Sequence, residues 1–373
     1  MRVAIIAECF LPERNGVTNS VLRVVEHLEE RGHQALVIAP GLGPTRYSET
    51  PVERVPGVEL PVYRSLSVGL PTGQLRRILE HFAPDVVHAA APAVLGAAGL
   101  RAAADLGLPS VAIYQTDLAG FARRYGFGVA SPAIWRWLRW VHGQAGLTLA
   151  PSTLAAWELE RNGIPRVARW GRGVDLDRFH PRHRNALLRR RLVPNGEVLV
   201  GYIGRLAPEK QVHLLAGLAG VAGVNVVVAG DGPSRAKLER QLPGVSFLGF
   251  KSGPELSQLM ASLDVFVHTG ANETFCQAIQ EALASGVPVV APASGGPVDL
   301  VRHGETGWLV PAGRPSLVRP AVLELVRDAE LRQEMGRRAR ASVAHRSWGE
   351  LGDELIEHYR RVGGGGGRRR RVA

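Results

Sequence analysis

Two basic side chains follow one apolar run. In Tyr202-Ile-Gly-Arg-Leu-Ala-Pro-Glu-Lys-Gln211 a strand ends, Gly204 permits close backbone approach, and Arg205 and Lys210 leave the loop as two cations. A planar guanidinium fork beside a compact ammonium, at the carboxyl end of a strand, suits the oxygens of a diphosphate. As an ordinary solvated loop the same residues would do nothing. Further along, Glu273 follows the apolar run Val265-Phe-Val267, and a helix is expected to begin at Thr274 or Phe275. The free amides and dipole of such a helix start favour a phosphate or a sugar hydroxyl. Glu281 lies in that helix, roughly two turns from Glu273, so the two carboxylates could hold different parts of an extended ligand. Their plain structural roles would be a helix N-terminal charge for Glu273 and a buried, backbone-paired group for Glu281. Ser294-Gly-Gly-Pro297 adds a glycine turn after the next strand.

Other chemistries lack their residues. Asp175-Leu-Asp177 spells a dicarboxylate pair, but it sits where apolar periodicity is lost, and a turn is the expectation. His27, His33, His88, His142 and His268 form no i, i+4 pair, and Cys9 and Cys276 are the only cysteines. No metal, no disulfide framework and a reducing cytosol follow as expectations. No Gly-x-Ser-x-Gly elbow is present. Asn15-Gly16, after the first apolar run, offers turn amides to a phosphate. Gly-x-Gly-x-x-Gly opens neither half of the chain, which disfavours a dehydrogenase.

The elements that must position these residues alternate from end to end. Val3–Ala7, Ala35–Ala39, Val86–His88, Ser110–Tyr114 and Leu147–Ala150 read as buried strands, and Thr18–Gly32 and Gly73–Phe82 between them have helical spacing. A second series follows, Val198–Ile203, Val224–Ala229, Val245–Leu248, Val265–Val267 and Val287–Ala291. Alternation of this kind means parallel sheets with crossover helices, and 373 residues suit two domains. The predicted architecture is α/β: an N-terminal Rossmann-like domain over 1–172, a second over 173–346, a helix over 347–362 returning to the first, and a Gly/Arg tail over 363–373. The linker is expected near Arg169–Phe179. Ligands of open parallel sheets sit beyond the carboxyl ends of the strands, so the expected site is a cleft between the two domains.

With 45% hydrophobic and 21% charged residues the chain reads as globular, and no apolar run reaches the length of a membrane span. The start reads as a strand rather than a signal peptide. Of 45 basic residues only Lys210, Lys237 and Lys251 are lysines, as expected of a GC-rich genome. The net charge of +11 still favours anionic partners. Zinc-finger spacing, RNP-like motifs and basic heptads are missing, so nucleic acid is not an expected partner. Arg368–Arg371 after five glycines read as a tethered charge cluster or an idle end.

Taken together, Pro12 with Asn15-Gly16, Gly204-Arg205…Glu209-Lys210, Gly230-Asp-Gly-Pro233 and the Glu273/Glu281 pair resemble the retaining glycosyltransferases of the GT-B fold, family GT4, over nearly all of residues 1–362. Tyr114-Gln-Thr-Asp117, Pro151-Ser152 and Arg172-Gly-Val-Asp175 look most like actinobacterial GDP-mannose-dependent α-mannosyltransferases acting on glycolipids. The resemblance implies that Arg205 and Lys210 hold the donor diphosphate, with Gly204 and Gly16 close to it. It also implies that Glu273 binds sugar hydroxyls beside the amides of Phe275, Cys276 and Gln277, and that Glu281 binds the ribose. Gln115 stands where many members carry histidine, so it could hydrogen-bond the sugar, with Asp117 nearby, but cannot serve as a titrating base. Catalysis would fall to Arg205, Lys210 and Glu273 without a metal or other cofactor. A nucleoside diphosphate leaves as a stabilised anion and needs no protonating acid; its developing charge needs cations and amides.

The expected partners are a nucleotide-sugar donor, a lipid-linked or other hydroxyl acceptor and an anionic membrane face, for a cytoplasmic, peripheral protein. Arg76-Arg77, Arg123-Arg124 and Trp135-Arg-Trp-Leu-Arg-Trp140 suit such a face. Helical spacing places Ile134, Trp137, Leu138 and Val141 on one side of that last segment. Two alternatives remain at this point: a UDP-sugar donor on the same fold, or a non-catalytic basic protein binding nucleic acid or an anionic surface.

Overall fold

A computed structural model describes residues 1–13, 15–60, 63–69, 73–115, 117, 120 and 131–364. The chain forms two compact units, residues 1–172 with the stretch from Trp348 onward, and Gly173–Ser347.

In the first unit the buried runs become β1 (Arg2–Ala7), β2 (Gln34–Pro40), β7 (Val86–Ala90), β8 (Ser110–Ile113) and β9 (Leu147–Ala150), which pair in parallel in the order β9-β8-β7-β1-β2. Sequence patterning missed the strands that extend this sheet. β4 (Thr50–Val55) alternates buried and exposed residues instead of forming an apolar run, and it pairs with β2 and the two-residue β3 (Arg46–Tyr47). β10 (Val167–Arg169) is a three-residue edge on β9, and β5 (Gly57–Leu60) with β6 (Tyr63–Gly69) makes a separate antiparallel hairpin. The helix Gly16–Glu30 starts at Asn15, whose Oδ1 accepts from the amides of Val17 and Thr18 at 2.9 Å. Its stripe of Val21, Val24, Val25 and Leu28 packs on β1 and β2.

The helix Ser131–Gly143 corrects the expected phase. Trp135, Leu138, Val141 and His142 are its buried face, while Trp137 is 42% exposed and stacks on the exposed Trp140 with ring centroids 4.8 Å apart. The stripe is set by Trp135 three residues before Leu138; a count of apolar residues alone cannot choose between two tryptophans two positions apart. Arg123 and Arg124 lie outside the described residues.

The helix Trp348–Gly364 belongs to the first unit, where Leu351, Leu355, Ile356 and Tyr359 enter the core beside Val3, Ile5 and Val111. Trp170 Nε1 donates to Leu351 O at 2.8 Å, Tyr359 OH lies 2.5 Å from His88 Nδ1, and His27 Nε2 lies 2.9 Å from Asp353 Oδ1. The helix runs two residues into the glycine run assigned to the tail, since a last turn carries glycine without strain; Arg368–Arg371 lie outside the described residues.

In the second unit, β11 (Val198–Ile203), β12 (Val224–Ala229), β13 (Ser246–Gly249), β14 (Val265–Val267), β15 (Val289–Pro292) and β16 (Gly307–Val310) form one parallel sheet in the order β13-β12-β11-β14-β15-β16. This is the doubly wound order, whose direction reverses between β11 and β14. The expected linker is a capped turn: Asp175 Oδ1 accepts from Arg178 N at 2.9 Å, and Asp177 accepts from Arg182. No described helix is long and apolar enough to cross a membrane.

Candidate functional site

The switch point of the second sheet is where a ligand is expected, and the loops after β11 and β14 flank it. Lys210 ends a short 3-10 turn, Pro208–Lys210, and its ammonium is bonded to Glu273 Oε1 from the loop after β14. Thr269 Oγ1 donates to Lys210 O at 2.6 Å, tying the two loops through backbone as well. His268 Nε2 is 3.2 Å from the same Glu273 oxygen, and His268 Nδ1 is 3.6 Å from Cys276 Sγ. The imidazole is almost fully buried and lies nearly parallel to the Tyr202 ring, at 16° and 6.3 Å between centroids. Tyr202 OH donates to Arg205 O at 3.1 Å. The Arg205 guanidinium is exposed and makes no ion pair or hydrogen bond among the described residues. Thus the two expected cations differ: Lys210 is committed to Glu273, and Arg205 is open to a ligand.

The charges hold one another. Burial would raise the Glu273 pKa, but His268 and Lys210 pull it down to about 2, so it is ionised at neutral pH. Burial would lower the Lys210 pKa; Glu273 more than offsets this, and the net direction is upward. Burial likewise opposes charge on His268, yet the Cys276 sulfur and the Glu273 carboxylate raise its pKa to about 10. Glu281 differs. Set in the helix Gln277–Ala284, it is pushed up to about 8 by burial, which the attraction of Arg178 only partly opposes.

His268, Glu273 and Cys276 bring ligand atoms within 4.8 Å of one another. The geometry does not suit a shared ion, because the two imidazole nitrogens point away from each other, one to Glu273 and one to Cys276. The Lys210 ammonium also already occupies the carboxylate.

Glycines shape the backbone here. A Cβ on Gly295 (φ +62°) would lie 2.2 Å from Glu273 O, and one on Gly296 would lie 2.1 Å from Phe275 O. Gly296 N donates to Glu273 O at 2.8 Å, so this turn presses directly on the Glu273–Phe275 loop. On the other loop, a Cβ on Gly230 would lie 1.9 Å from Gly204 O. Phe275 is core, Cys276 adopts a positive φ of 77°, and the helix starts at Gln277, later than expected. The backbone turns sharply at Cys276 before helical geometry can begin. Gln277 Nε2 donates to Gly173 O at 3.0 Å.

Gly16, Gln115 and Asp117 belong to the first unit. Gly16 opens its helix, and a Cβ there would meet Arg172 Nη1 at 3.2 Å; Arg172 Nη2 donates to Gln115 Oε1 at 2.9 Å. Asp117 Oδ1 accepts from Gly120 N at 2.6 Å, closing its own loop. A cavity of ≈ 180 Å³ sits beside them at this sheet's switch point between β1 and β7, lined by Glu8, Asn15, Pro92 and Gln115 among others. Glu8 is not free for chemistry: its carboxylate accepts from the amides of Ala93, Val94, Leu95 and Gly96 and so caps the helix Leu95–Asp105. Sequence reading named His268 and Tyr202, which share the Lys210–Glu273 cluster, and Arg172, but gave none of them a site role. The signal available was position alone: His268 directly follows a strand on the ligand side.

Residues 14–178 match the model of Glycosyltransferase Family 4 and residues 184–342 that of Glycosyl transferases group 1. The chain is 50% identical over 369 residues to a GDP-mannose-dependent alpha-mannosyltransferase of Mycobacterium tuberculosis, covering 97% of both chains. It is 51% identical to the protein so named in Mycolicibacterium smegmatis, over 97% of this chain and 98% of the relative. Among solved structures, sucrose-phosphate synthase from Thermosynechococcus elongatus aligns with a TM-score of 0.77 at 18% identity, covering 98% of this chain and all of that one. Anabaena HepE in complex with UDP and glucose aligns with a TM-score of 0.74 at 21% identity, over 95% and 98%. The two parallel sheets are those of a GT-B fold, and the chain is a glycosyltransferase belonging to family 4.

Proposed function

We propose that the protein transfers mannose from GDP-mannose to a hydroxyl acceptor with retention, and that the acceptor is lipid-linked. Near-full-length identity of 50–51% to proteins named GDP-mannose-dependent alpha-mannosyltransferase is the observation that carries the donor assignment. The site supports it in chemical terms. Arg205 receives the diphosphate, Lys210 neutralises the charge that develops as it leaves, and the ionised Glu273 accepts hydrogen bonds from sugar hydroxyls. Glu281 takes the ribose hydroxyls, and Gly16, Gln115 and Asp117 serve the donor phosphate and the acceptor from the first unit. The departing phosphate accepts the acceptor's proton on the face it leaves, so no protein base and no metal are required. The exposed arginines and the Trp137–Trp140 pair suit an anionic membrane on the cytoplasmic side.

Thermal unfolding with saturating GDP, UDP and ADP, for the wild type and Glu281→Ala, tests the donor. A ligand at 100 times its dissociation constant adds about 2.7 kcal/mol. A shift with GDP alone, lost in the variant, and mannose transfer to a lipid extract in the presence of a chelator are the expected results. A shift with UDP alone would replace the donor, and a covalent glycosyl-enzyme would overturn the one-step chemistry.

A further inference from the structure

We infer that His268 is a positioning residue for sugar transfer, the fixed partner that keeps the Glu273 carboxylate aimed when Lys210 is drawn toward a donor phosphate. The inference deepens the donor reading above and rests on it for the role of Glu273.

Glu273 has two cationic or donor neighbours of opposite mechanical character. Lys210 reaches it on a flexible four-carbon stem, and its side chain is 24% exposed. His268 is immobile by comparison. Its backbone N–H is bonded to Val290 O at 2.8 Å, the residue is 3% exposed, and its ring is flanked by the Tyr202 ring and, at Nδ1, by Cys276 Sγ. A diphosphate competing for the Lys210 ammonium would leave a buried carboxylate unpaired if Lys210 were alone, and an unpaired buried charge is strongly unfavourable. Nε2 lies 3.2 Å from the same oxygen and makes no hydrogen bond among the described residues, so His268 is the buried donor left to take up that carboxylate when Lys210 withdraws. The stack also reaches the other loop, because Tyr202 fixes the backbone of Arg205 through its hydroxyl. One buried aromatic pair therefore sets the spacing between the residue that meets the sugar and the residue that meets the phosphate. The groups facing Glu273 are Lys210 and His268; those facing His268 are Glu273, Cys276 and Tyr202. The upward pKa of His268 and the downward pKa of Glu273 agree with this pairing.

The test uses the full chain. His268→Phe keeps the stack and loses both nitrogens, while His268→Gln keeps an amide donor. For transfer from GDP-mannose, His268→Phe is expected to lower kcat about tenfold or more with a smaller change in KM. It should also move the acid limb of the pH profile upward as Glu273 loses a partner, with partial rescue in His268→Gln. An unmoved pH profile with kcat merely scaled down in both variants would overturn the inference. A second arm needs no donor: with ring-labelled histidine, the His268 titration in Glu273→Gln is expected to fall by about one unit or more relative to wild type. An unchanged titration would overturn the pairing even if His268→Phe does not fold. If the wild type fails to use GDP-mannose but the titration falls, the donor reading is what fails.

Discussion

Glu281 is the residue where stability and ligand binding pull apart. Its folded pKa of about 8 lies above the unfolded value near 4.3. The native state therefore holds a proton that the unfolded chain releases, and stability falls as pH rises through that window. Glu281→Gln is expected to unfold at a higher temperature than wild type at pH 8 and at the same temperature at pH 4. If it holds the ribose, the same change weakens GDP binding about tenfold or more. Scanning calorimetry at both pH values with a GDP titration checks the two effects together. Lys210→Ala removes one of the two partners of Glu273 described above, together with the cation for the leaving phosphate, and a loss of about 10²–10³ in kcat is expected from steady-state transfer rates. Arg205, Lys210, Glu273 and Glu281 stood out in the sequence as charges on the loops and helix that follow apolar runs, and the structure brings Lys210 and Glu273 into contact. His268 and Tyr202 did not stand out, because their contact depends on β14 lying beside β11, although β12 and β13 intervene in the chain.

At the scale of elements, the Gly295-Gly296 turn after β15 sets the loop that carries Glu273. Gly296→Ala introduces a methyl group into the Phe275 carbonyl without demanding an unusual φ, since Gly296 sits at −58°. A stability loss of about 1–3 kcal/mol and reduced transfer are expected from denaturant melts and kinetics. Gly313→Ala, with nothing within 4 Å, should change neither. The ten strands named from apolar runs match the observed ones to within two residues at their ends, since burial on both faces leaves an uninterrupted pattern; Gly307–Val310 was not among them. Thr50–Val55 and Val167–Arg169 lie toward the sheet edge, where one face or the short length breaks that pattern. The helix Ser131–Gly143 was legible as a helix but not in phase; its neighbours decided which tryptophan is buried.

For the whole molecule, buried neutral histidines make the first unit sensitive to mild acid. His88 and His142 are held neutral by burial, with pKa values lowered to about 3 and about 4. Their contribution is present above pH 6.5 and is lost as pH falls, because the unfolded chain takes up protons that the native state refuses. His142→Gln is expected to flatten the decline in unfolding midpoint between pH 6.5 and 4, measured by circular dichroism melts. The first unit also has a peculiarity of assembly. Its sheet is complete by Arg169, yet Leu351, Leu355, Ile356 and Tyr359, which seal one face of it, come after the whole of Gly173–Ser347. At about 5–20 residues per second, a ribosome needs roughly ten to thirty-five seconds to make the intervening stretch. Through that interval the faces of β7, β8 and the helix Gly16–Glu30 that the helix Trp348–Gly364 covers stay open to any apolar surface nearby, so a chaperone is expected to act during synthesis rather than on the finished enzyme.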